Sequence, residues 1–244
     1  MQHLLRRKII YTVTALLILS NTGFGQLLSG EENLMEHDDK AIHFGINLGF
    51  NKSHFSFGHH PQFLKQDSIT GIESINSSGI NLAWLVNFRL SNHFALRTYP
   101  LNLTFSEKAF EYALKYPDEI DGESAITLKK VQSITLSLPV QIKFTSDRIH
   151  NLKVYTIAGA KIDYDLASNA GKKNGGEIIK LKKFDYSAEA GIGFHFYFPY
   201  FVLSPELKVD WGFANLHSRA TNVKYSSNID KINSRMISIS LTVE

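Results

Sequence analysis

Hydrophobic and polar residues alternate along most of the chain after residue 40. Residues 41–51, AIHFGINLGFN, place a bulky apolar side chain at every second position, with Gly, Asn or His between them. A period of two indicates a β-strand with one apolar face, because successive side chains point to opposite sides of a strand. The pattern recurs in seven further runs, at residues 79–90, 94–105, 125–144, 152–166, 184–198, 201–213 and 235–243. The sequence therefore predicts an all-β protein with eight strands.

The connections between these runs are alternately short and long. Short turns fall at residues 91–93, 145–150 and 199–200, and long polar segments at residues 58–78, 106–124, 167–178 and 214–233. Small barrels of the bacterial outer membrane have this asymmetry, with short turns on the periplasmic side and long loops outside. The predicted fold is an eight-stranded antiparallel up-and-down transmembrane β-barrel in the outer membrane, with both termini in the periplasm.

The residues between the apolar positions distinguish a membrane barrel from a soluble one. A soluble barrel such as a lipocalin has the same alternation with the apolar face inward. Glycine weakens a strand and gains nothing on a face washed by water, whereas a narrow eight-stranded lumen requires small residues. The small residues of the polar faces are Gly45, Gly49, Ala83, Gly159, Gly191 and Gly193. The polar faces are therefore predicted to line the lumen, and the apolar faces to contact lipid.

The apolar faces have the length and the aromatic residues expected at a membrane. Each offers about nine to eleven usable positions, which a tilted strand needs to cross the hydrocarbon layer. Aromatic residues gather beside the short turns, as in an interfacial girdle. They are Phe88, Phe94, Phe144, Phe196, Phe198, Tyr200 and Phe201.

Three prolines conflict with regular strands. Pro100, Pro139 and Pro205 fall inside predicted strands, although a closed barrel has no free edge to hold a residue without an N–H donor. A β-bulge at each proline resolves the conflict, and it would shift the face assignment beyond that proline.

The N-terminus has the three regions of a secretory signal. MQHLLRRK is basic, IIYTVTALLIL is apolar but too short to span a membrane, and Gly23-Phe24-Gly25 precedes Gln26 as a small-x-small cleavage pattern. The predicted organisation is a signal peptide at residues 1–25, a periplasmic N-terminal extension at residues 26–40 and the barrel domain at residues 41–244. The extension is either a disordered tail or a periplasmic docking segment, and its acidic, uneven composition makes disorder the default.

Charge and cysteine content exclude several functions. Arg6, Arg7 and Lys8 account for the formal net charge of +3, since residues 1–25 contain no Asp or Glu. The rest of the chain is neutral, which argues against a nucleic-acid partner. The chain has no cysteine, so disulfides, thiolate nucleophiles, Cys-zinc sites and lipid-modified cysteines are excluded.

Acidic and basic residues are mixed on the faces predicted to point inward. Buried charges are costly unless they are paired, so these residues are predicted to form a structural polar network that fills the lumen. A polar pathway or binding site is the alternative. The residues are Arg89, Lys143, Lys161, Asp163, Asp165, Asp185, Glu189, His195, Glu206, Lys208 and Asp210. No catalytic, cofactor-binding or metal site is predicted.

The remaining motifs give weak signals. His59 and His60 lack a third ligand at a fixed spacing. His54 and Ser56 lie near the predicted outer rim, where some barrel lipid hydrolases and acyltransferases carry catalytic residues, but no fixed motif singles them out. The GKKNGG segment at residues 171–176 is predicted to be a flexible turn, and a contact for lipopolysaccharide phosphate is the less favoured interpretation. Outer-membrane lipid and lipopolysaccharide are expected partners.

Several segments resemble the PorT family of Bacteroidetes outer-membrane barrels. They are residues 43–51, residues 94–97 with Pro100 and residues 103–105, residues 138–140 with Lys143 and Phe144, residues 159–161 with Asp165 and Leu166, and residues 204–208. The resemblance runs from about residue 41 to the end of the chain. It implies an accessory role in type IX secretion of adhesins and proteases, a possible part in gliding motility, and contacts with other secretion-system proteins.

The resemblance supplies no catalytic residues, and the C-terminus departs from the usual pattern. Barrels of this kind commonly end on an aromatic residue, whereas this chain ends Leu241-Thr242-Val243-Glu244. A small porin-like or surface ligand-binding barrel is the alternative function, and a lipid-modifying enzyme is a weaker one.

Overall fold

The strands that the alternation predicts are present, and some of them are longer than expected. A computed structural model describes residues 32–59, 69–114, 126–167, 181–217 and 229–244. The strands are β1 Ile42–His59, β2 Ile69–Ile75, β3 Ser77–Arg89, β4 Phe94–Leu114, β5 Ile126–Thr145, β6 Leu152–Asp165, β7 Phe184–Tyr197, β8 Val202–Gly212 and β9 Ile229–Val243. A single 3₁₀ turn, Met35–His37, precedes them. Within these ranges, no helix has the length and apolar character needed to cross a membrane.

The strands close into a barrel through antiparallel pairing of sequence neighbours. Their order round the barrel is β3-β1-β9-β8-β7-β6-β5-β4, and β4 closes the ring by pairing with β3. Strand β2 continues the line of β3 beyond Asn76, since Ile75 lies opposite Ala109 of β4 and Gly79 lies opposite Ser106. Eight strand positions therefore surround the lumen, which confirms the predicted eight-stranded antiparallel β-barrel.

The two faces of each strand point as predicted. In β1 the even-numbered residues 42–50 are exposed and the odd-numbered residues 43–51 are buried. The same arrangement round the barrel produces a continuous outward-facing hydrophobic surface, which we call the apolar belt. It includes Phe44, Ile46, Leu48, Phe50, Leu82, Trp84, Phe88, Leu101, Phe105, Leu138, Val140, Ile142, Ile162, Ile192, Leu207, Trp211, Ile237, Ile239 and Leu241. A hydrophobic surface of this extent requires a cover other than water.

Crowding in the lumen explains the glycines of the polar faces. A Cβ atom added at Gly49 would lie 2.7 Å from the Cβ of Ser240, and one added at Gly193 would overlap the ring of Tyr155. Tyr155 is itself buried, at 1% exposure. Glycine at these positions therefore makes room for side chains that arrive from neighbouring strands.

The three prolines are accommodated in two different ways. The β4–β5 register shifts between Thr98 and Asn102, so that Pro100 lies in a bulge opposite Pro139. Buried positions in β4 accordingly change from odd to even numbers across this bulge, as the sequence predicted. The expected bulge at Pro205 was wrong, because β8 keeps its register with β9 and Pro205 lies opposite Leu241. Its missing N–H falls within a gap in the β7–β8 ladder, between the pairs Gly193–Glu206 and Phe196–Leu203.

Strand extends into two of the predicted long loops. Strand β1 reaches His59 and β4 reaches Leu114, while β5 begins at Ile126. Both faces of these extensions carry polar residues, so the hydrophobic alternation stops although the backbone hydrogen bonds continue. We call the end with the turns at residues 90–93, 146–151 and 198–201 the short-turn end, and the opposite end the long-connection end.

Candidate functional site

The structure brings most of the predicted polar residues together inside the barrel. Those that are buried are Lys143, Lys161, Asp185, Glu189, His195, Glu206, Lys208 and Asp210. Asp163 and Asp165 are half-buried toward the long-connection end. Arg89 is not in the buried interior, because its side chain is 29% exposed at the short-turn end and forms an ion pair with Asp39 at 3.1 Å.

A layer of charged and aromatic side chains crosses the lumen. Arg97 is completely buried, and its Nη1 atom lies 2.5 Å from Oε2 of Glu206. Tyr155 donates a hydrogen bond of 2.8 Å to the same oxygen, and Lys208 lies 3.1 Å from Oε1 of Glu206. Arg97 also lies 3.6 Å from the side chain of Glu244. We call Arg97, Tyr99, Tyr155, Glu206, Lys208 and Glu244 the charged layer.

Aromatic rings complete the charged layer by contacting its cations. The Arg97 guanidinium is 5.2 Å from the ring centre of Tyr155, and Lys208 Nζ is 4.8 Å from that of Tyr99. Lys143 Nζ lies 4.9 Å from the Tyr155 ring on the side of the short-turn end. Such cation–π contacts are stronger when water is excluded, so they help to offset the cost of burying these charges.

The paired carboxylates of β6 have structural partners. Lys161 lies 2.9 Å from Asp210 and 3.6 Å from Asp163. Asp165 accepts hydrogen bonds from Ser133 at 3.0 Å and from the backbone N–H of Ala167 at 2.8 Å. These contacts hold neighbouring strands and the start of a connection, and they do not bring two carboxylates to one reacting atom.

The charged layer separates two small cavities in the described part of the barrel. One, of about 60 Å³, lies toward the long-connection end and is lined by carboxylates and hydroxyls that include Asp185, Ser187 and Asp210. The other, also about 60 Å³, lies toward the short-turn end beside Lys143 and His195. The two cavities share no lining residue. The buried apolar residues Phe55, Leu181, Leu216 and Ile232 lie at the long-connection end.

The N-terminal segment lies against the short-turn end, so the prediction of disorder was wrong for residues 32–40. Asn33 donates a hydrogen bond of 3.0 Å to the carbonyl of Tyr197 and accepts one from Arg148. Asp38 accepts hydrogen bonds of 2.7 Å from both Lys153 and Tyr197. Asp38 is one of the acidic residues on which the prediction of disorder rested, and it attaches this segment to the barrel. Residues 1–31, with the predicted signal peptide, lie outside the described residues.

Asp38 makes the attachment of this segment dependent on pH. Burial favours the protonated form, but hydrogen bonds from Lys153 and Tyr197 outweigh it and lower the pKa of Asp38 below its ordinary value. A carboxyl whose pKa is lowered by folding stabilises the folded contact above its unfolded pKa, and this stabilisation is lost as the pH falls through the folded pKa.

We expect Asp38→Asn to loosen residues 32–40 at neutral pH, as acidification through the lowered pKa of Asp38 does for the unmodified chain. Amide hydrogen exchange in this segment should become about tenfold faster, because charge-assisted bonds to a half-buried group are lost. Asp39→Asn is the matched control, since Asp39 is 80% exposed in its pair with Arg89. Equal exchange in both variants would contradict the attachment by Asp38.

Sequence reasoning missed the centre of the charged layer. Arg97, Tyr99 and Tyr155 were not among the predicted lumen residues, nor were Gln141, which donates a hydrogen bond of 2.6 Å to Glu189, and Glu244. The bulge at Pro100 obscured the parity of β4. Counting outward positions from Phe94 and Leu96 would have pointed Arg97 inward, whereas nothing in the alternation distinguishes a tyrosine in the lumen from one in the girdle.

The weak catalytic and metal motifs are not assembled into a site by the described residues. His54 and Ser56 share the outward face of β1, whose inward face carries Ser53 and Phe55. His60 and the GKKNGG segment lie outside the described residues, and the same is true of the His59 side chain. In the described part of the chain, no group of three or more His, Asp or Glu side chains is arranged to hold a metal ion.

Comparison with solved structures finds other small outer-membrane barrels. Neisserial surface protein A shares 10% identity over 84% of this chain and 99% of its own, with a TM-score of 0.39. The attachment invasion locus protein of Yersinia pestis, Ail, solved with the heparin analogue sucrose octasulfate, shares 13% identity over 82% of this chain and 96% of its own, with a TM-score of 0.38. OprG from Pseudomonas aeruginosa shares 12% identity over 88% and 97%, with a TM-score of 0.45. Likenesses this remote carry no information about function.

The comparison with protein families shows the family of this chain, which the individual proteins do not. No curated protein matches the chain. The family model described as an outer membrane protein beta-barrel domain matches residues 24–218, which is most of the chain and includes β1 to β8. With the outward apolar belt and the closed eight-stranded sheet, this match accounts for the surface that water cannot cover. The chain belongs to this family of outer-membrane β-barrel proteins.

Proposed function

We propose that this outer-membrane barrel is an accessory component of type IX protein secretion, acting in the surface delivery of adhesins and proteases. One observation carries the proposal. The segments that resemble the PorT family contribute several of the buried charges that fill the lumen, namely Arg97, Lys143, Lys161, Glu206 and Lys208. The residues on which the resemblance rests therefore include part of the interior of this barrel, which supports the proposal.

The interior supports a role that does not involve transport through this barrel. Arg97, Tyr99, Tyr155 and Gln141 are each no more than 1% exposed, and they fill the cross-section between two cavities too small for a polypeptide. A secreted protein would have to pass elsewhere. The barrel then contributes through its surfaces, by contacting or positioning other secretion-system proteins.

The proposed orientation places the long-connection end outside the cell and both termini in the periplasm. The asymmetry of the connections supports it, since outer-membrane barrels carry their short turns on the periplasmic side. Residues 32–40 and Glu244 both lie at the short-turn end. In this orientation the attached N-terminal segment faces periplasmic partners.

The extended strands favour a second candidate, a surface-interaction barrel. β4 and β5 pair as far as Ala113 and Ile126, which is well beyond the apolar belt at Phe105 and Ile134. Such a projecting sheet offers a surface for an extracellular partner. It fits a secretion partner as well as a ligand, so the two functions must be distinguished in cells.

Deletion of the gene is the direct test. We expect proteins that carry the type IX sorting domain to be lost from the cell surface and to accumulate inside the cell, and complementation with the intact gene to restore them. Normal surface delivery in the deletion strain, with the barrel absent from its membrane fraction, would overturn the proposal.

Two further measurements separate the alternatives. The purified barrel in a planar bilayer should give no steady single-channel current if the charged layer blocks the lumen, whereas a small porin would conduct. A lipid-modifying enzyme would change lipid A composition when Ser56 or His54 is substituted. Unchanged lipid A in Ser56→Ala and His54→Ala strains is the result we expect.

A further inference from the structure

A groove on the outer wall of the barrel combines cationic, amide and aromatic side chains. It lies across β8, β9 and the end of β1 and has a volume of about 520 Å³. Its lining includes Ser56, Trp211, Phe213, Lys231, Asn233 and Arg235. Arg235 lies opposite Trp211 of β8 on one side and His54 of β1 on the other, so the groove is built on paired strands.

The position of the groove relative to the apolar belt gives its level in the membrane. In β9 the outward residues Ile237, Ile239 and Leu241 belong to the belt, and the next outward residues toward the long-connection end are Arg235, Asn233 and Lys231. Trp211 and Phe213 are 40% and 57% exposed beside them. Exposed aromatic rings next to cations, at the edge of a hydrophobic belt, are typical of the lipid headgroup region.

The cations of this sector have no acidic partner among the described residues. Lys231 and Arg235 are both exposed, as is Lys52, which lies opposite Ile237 on β1. Within the described ranges, no carboxylate forms an ion pair with any of the three, whereas Arg89 at the opposite end is paired with Asp39. The positive charge is thus available to a ligand outside the protein.

The shape of the groove is held by the protein itself. Asn233 Nδ2 donates hydrogen bonds of 3.3 Å to the carbonyl of Gly212 and of 3.0 Å to the carbonyl of Ala214. These bonds fix the chain on either side of Phe213 against β9. The aromatic wall and the cationic wall therefore keep a constant separation without a ligand.

We propose that this groove binds a phosphate group of an outer-leaflet lipid, namely the phosphorylated headgroup of lipopolysaccharide. Arg235 offers two parallel N–H donors to phosphate oxygens and Lys231 a second positive charge. Trp211 and Phe213 pack against the start of the acyl chains, which continue along Ile237 and Ile239. This inference rests on the proposed orientation, which places the long-connection end in the outer leaflet.

Binding of lipopolysaccharide by the full barrel in phosphatidylcholine nanodiscs is the test. The chain has two tryptophans, so a Trp84→Phe background leaves Trp211 as a fluorescent reporter inside the groove. We expect lipopolysaccharide to bind about tenfold more tightly than the same lipid after phosphatase treatment. The treated lipid loses its charge-assisted contacts with Arg235 and Lys231, and such contacts contribute about this much to affinity. The K231Q/R235Q variant should lose that discrimination.

The matched control removes the same two residue types from the opposite end. K40Q/R89Q should keep the preference for phosphorylated lipid, since neither residue lies near the groove. Equal affinity for both lipids, or unchanged discrimination in K231Q/R235Q, would overturn the inference. If the proposed orientation is wrong, the result is different. Labelling of intact cells would then reach a cysteine introduced in place of Asp147, in a short turn, and would not reach one introduced in place of Lys182. Loss of lipid discrimination with the expected labelling would leave the proposed function intact.

Discussion

Replacing Arg97 with methionine is expected to lower the free energy of unfolding by about 3–5 kcal/mol, the cost of breaking a buried ion pair by removing one of its two charges. Arg97 and Glu206 both have completely buried side chains, and they are 2.5 Å apart. Removing the guanidinium leaves the Glu206 carboxylate in a space that water does not reach. Urea titration of the barrel in detergent micelles, followed by the fluorescence of Trp84 and Trp211, measures the change.

Three companion variants make this prediction specific. Arg89→Met removes a guanidinium whose ion pair is exposed, so it should cost about 1 kcal/mol or less. Glu206 is also paired with the buried Lys208, so the double variant R97M/E206M leaves Lys208 without this partner and does not simply restore stability. It should nevertheless cost less than R97M and E206M added together, because the Arg97–Glu206 interaction is lost only once. A small effect of R97M, or additive costs in the double variant, would contradict a coupled pair at the centre of the charged layer.

An arginine in place of Ile46 is expected to cost about 2–4 kcal/mol when the barrel is folded in lipid vesicles, because the side chain would enter the middle of the hydrocarbon layer. Ile46 is 62% exposed and lies opposite Trp84 at the centre of the apolar belt. Unfolding titrations in vesicles, with the same variant in detergent for comparison, measure the effect.

Leu90→Arg is the matched control, since Leu90 is equally apolar and is 65% exposed in the first short turn. At the membrane interface the same substitution should cost only about 0–1 kcal/mol. If the apolar belt faced water, Ile46→Arg would be neutral or stabilising and would increase solubility. That outcome would contradict the assignment of the belt to lipid.

Alternation along the chain predicted some features of this barrel and not others. The outward face of β1 and the polar faces of β7 and β8 were predictable, because each residue's side is determined by its parity within an unbroken strand. Parity fails as a guide beyond a bulge that inserts a residue, as it does after Pro100 in β4. Arg97 precedes that bulge, so counting from Phe94 and Leu96 would have pointed it inward. Parity is also a weaker guide in the extension beyond Phe105, where polar residues occur at both odd and even positions.

The partners of the buried charges could not be predicted from the sequence. Glu206 and Lys208 are neighbours on one face of β8, but Arg97 lies 109 residues before Glu206 in the chain and meets it only across the lumen. In the same way, Asp38 finds Lys153 and Tyr197 only because the N-terminal segment folds back against the barrel. Composition indicated disorder there, since it records the charge of a segment and not the presence of a matching pair.

The alternation of residue types was enough to predict the strands, their two faces and the environment of each, since hydrocarbon and a narrow lumen select different residues at alternate positions. It also indicated a polar network inside, because charges on an inward face have to be paired. The folded barrel was needed to show which charges pair, where side chains fill the lumen and which cations remain available on the outer wall. Those outcomes depend on the register and closure of the sheet, which bring together residues that no local period relates.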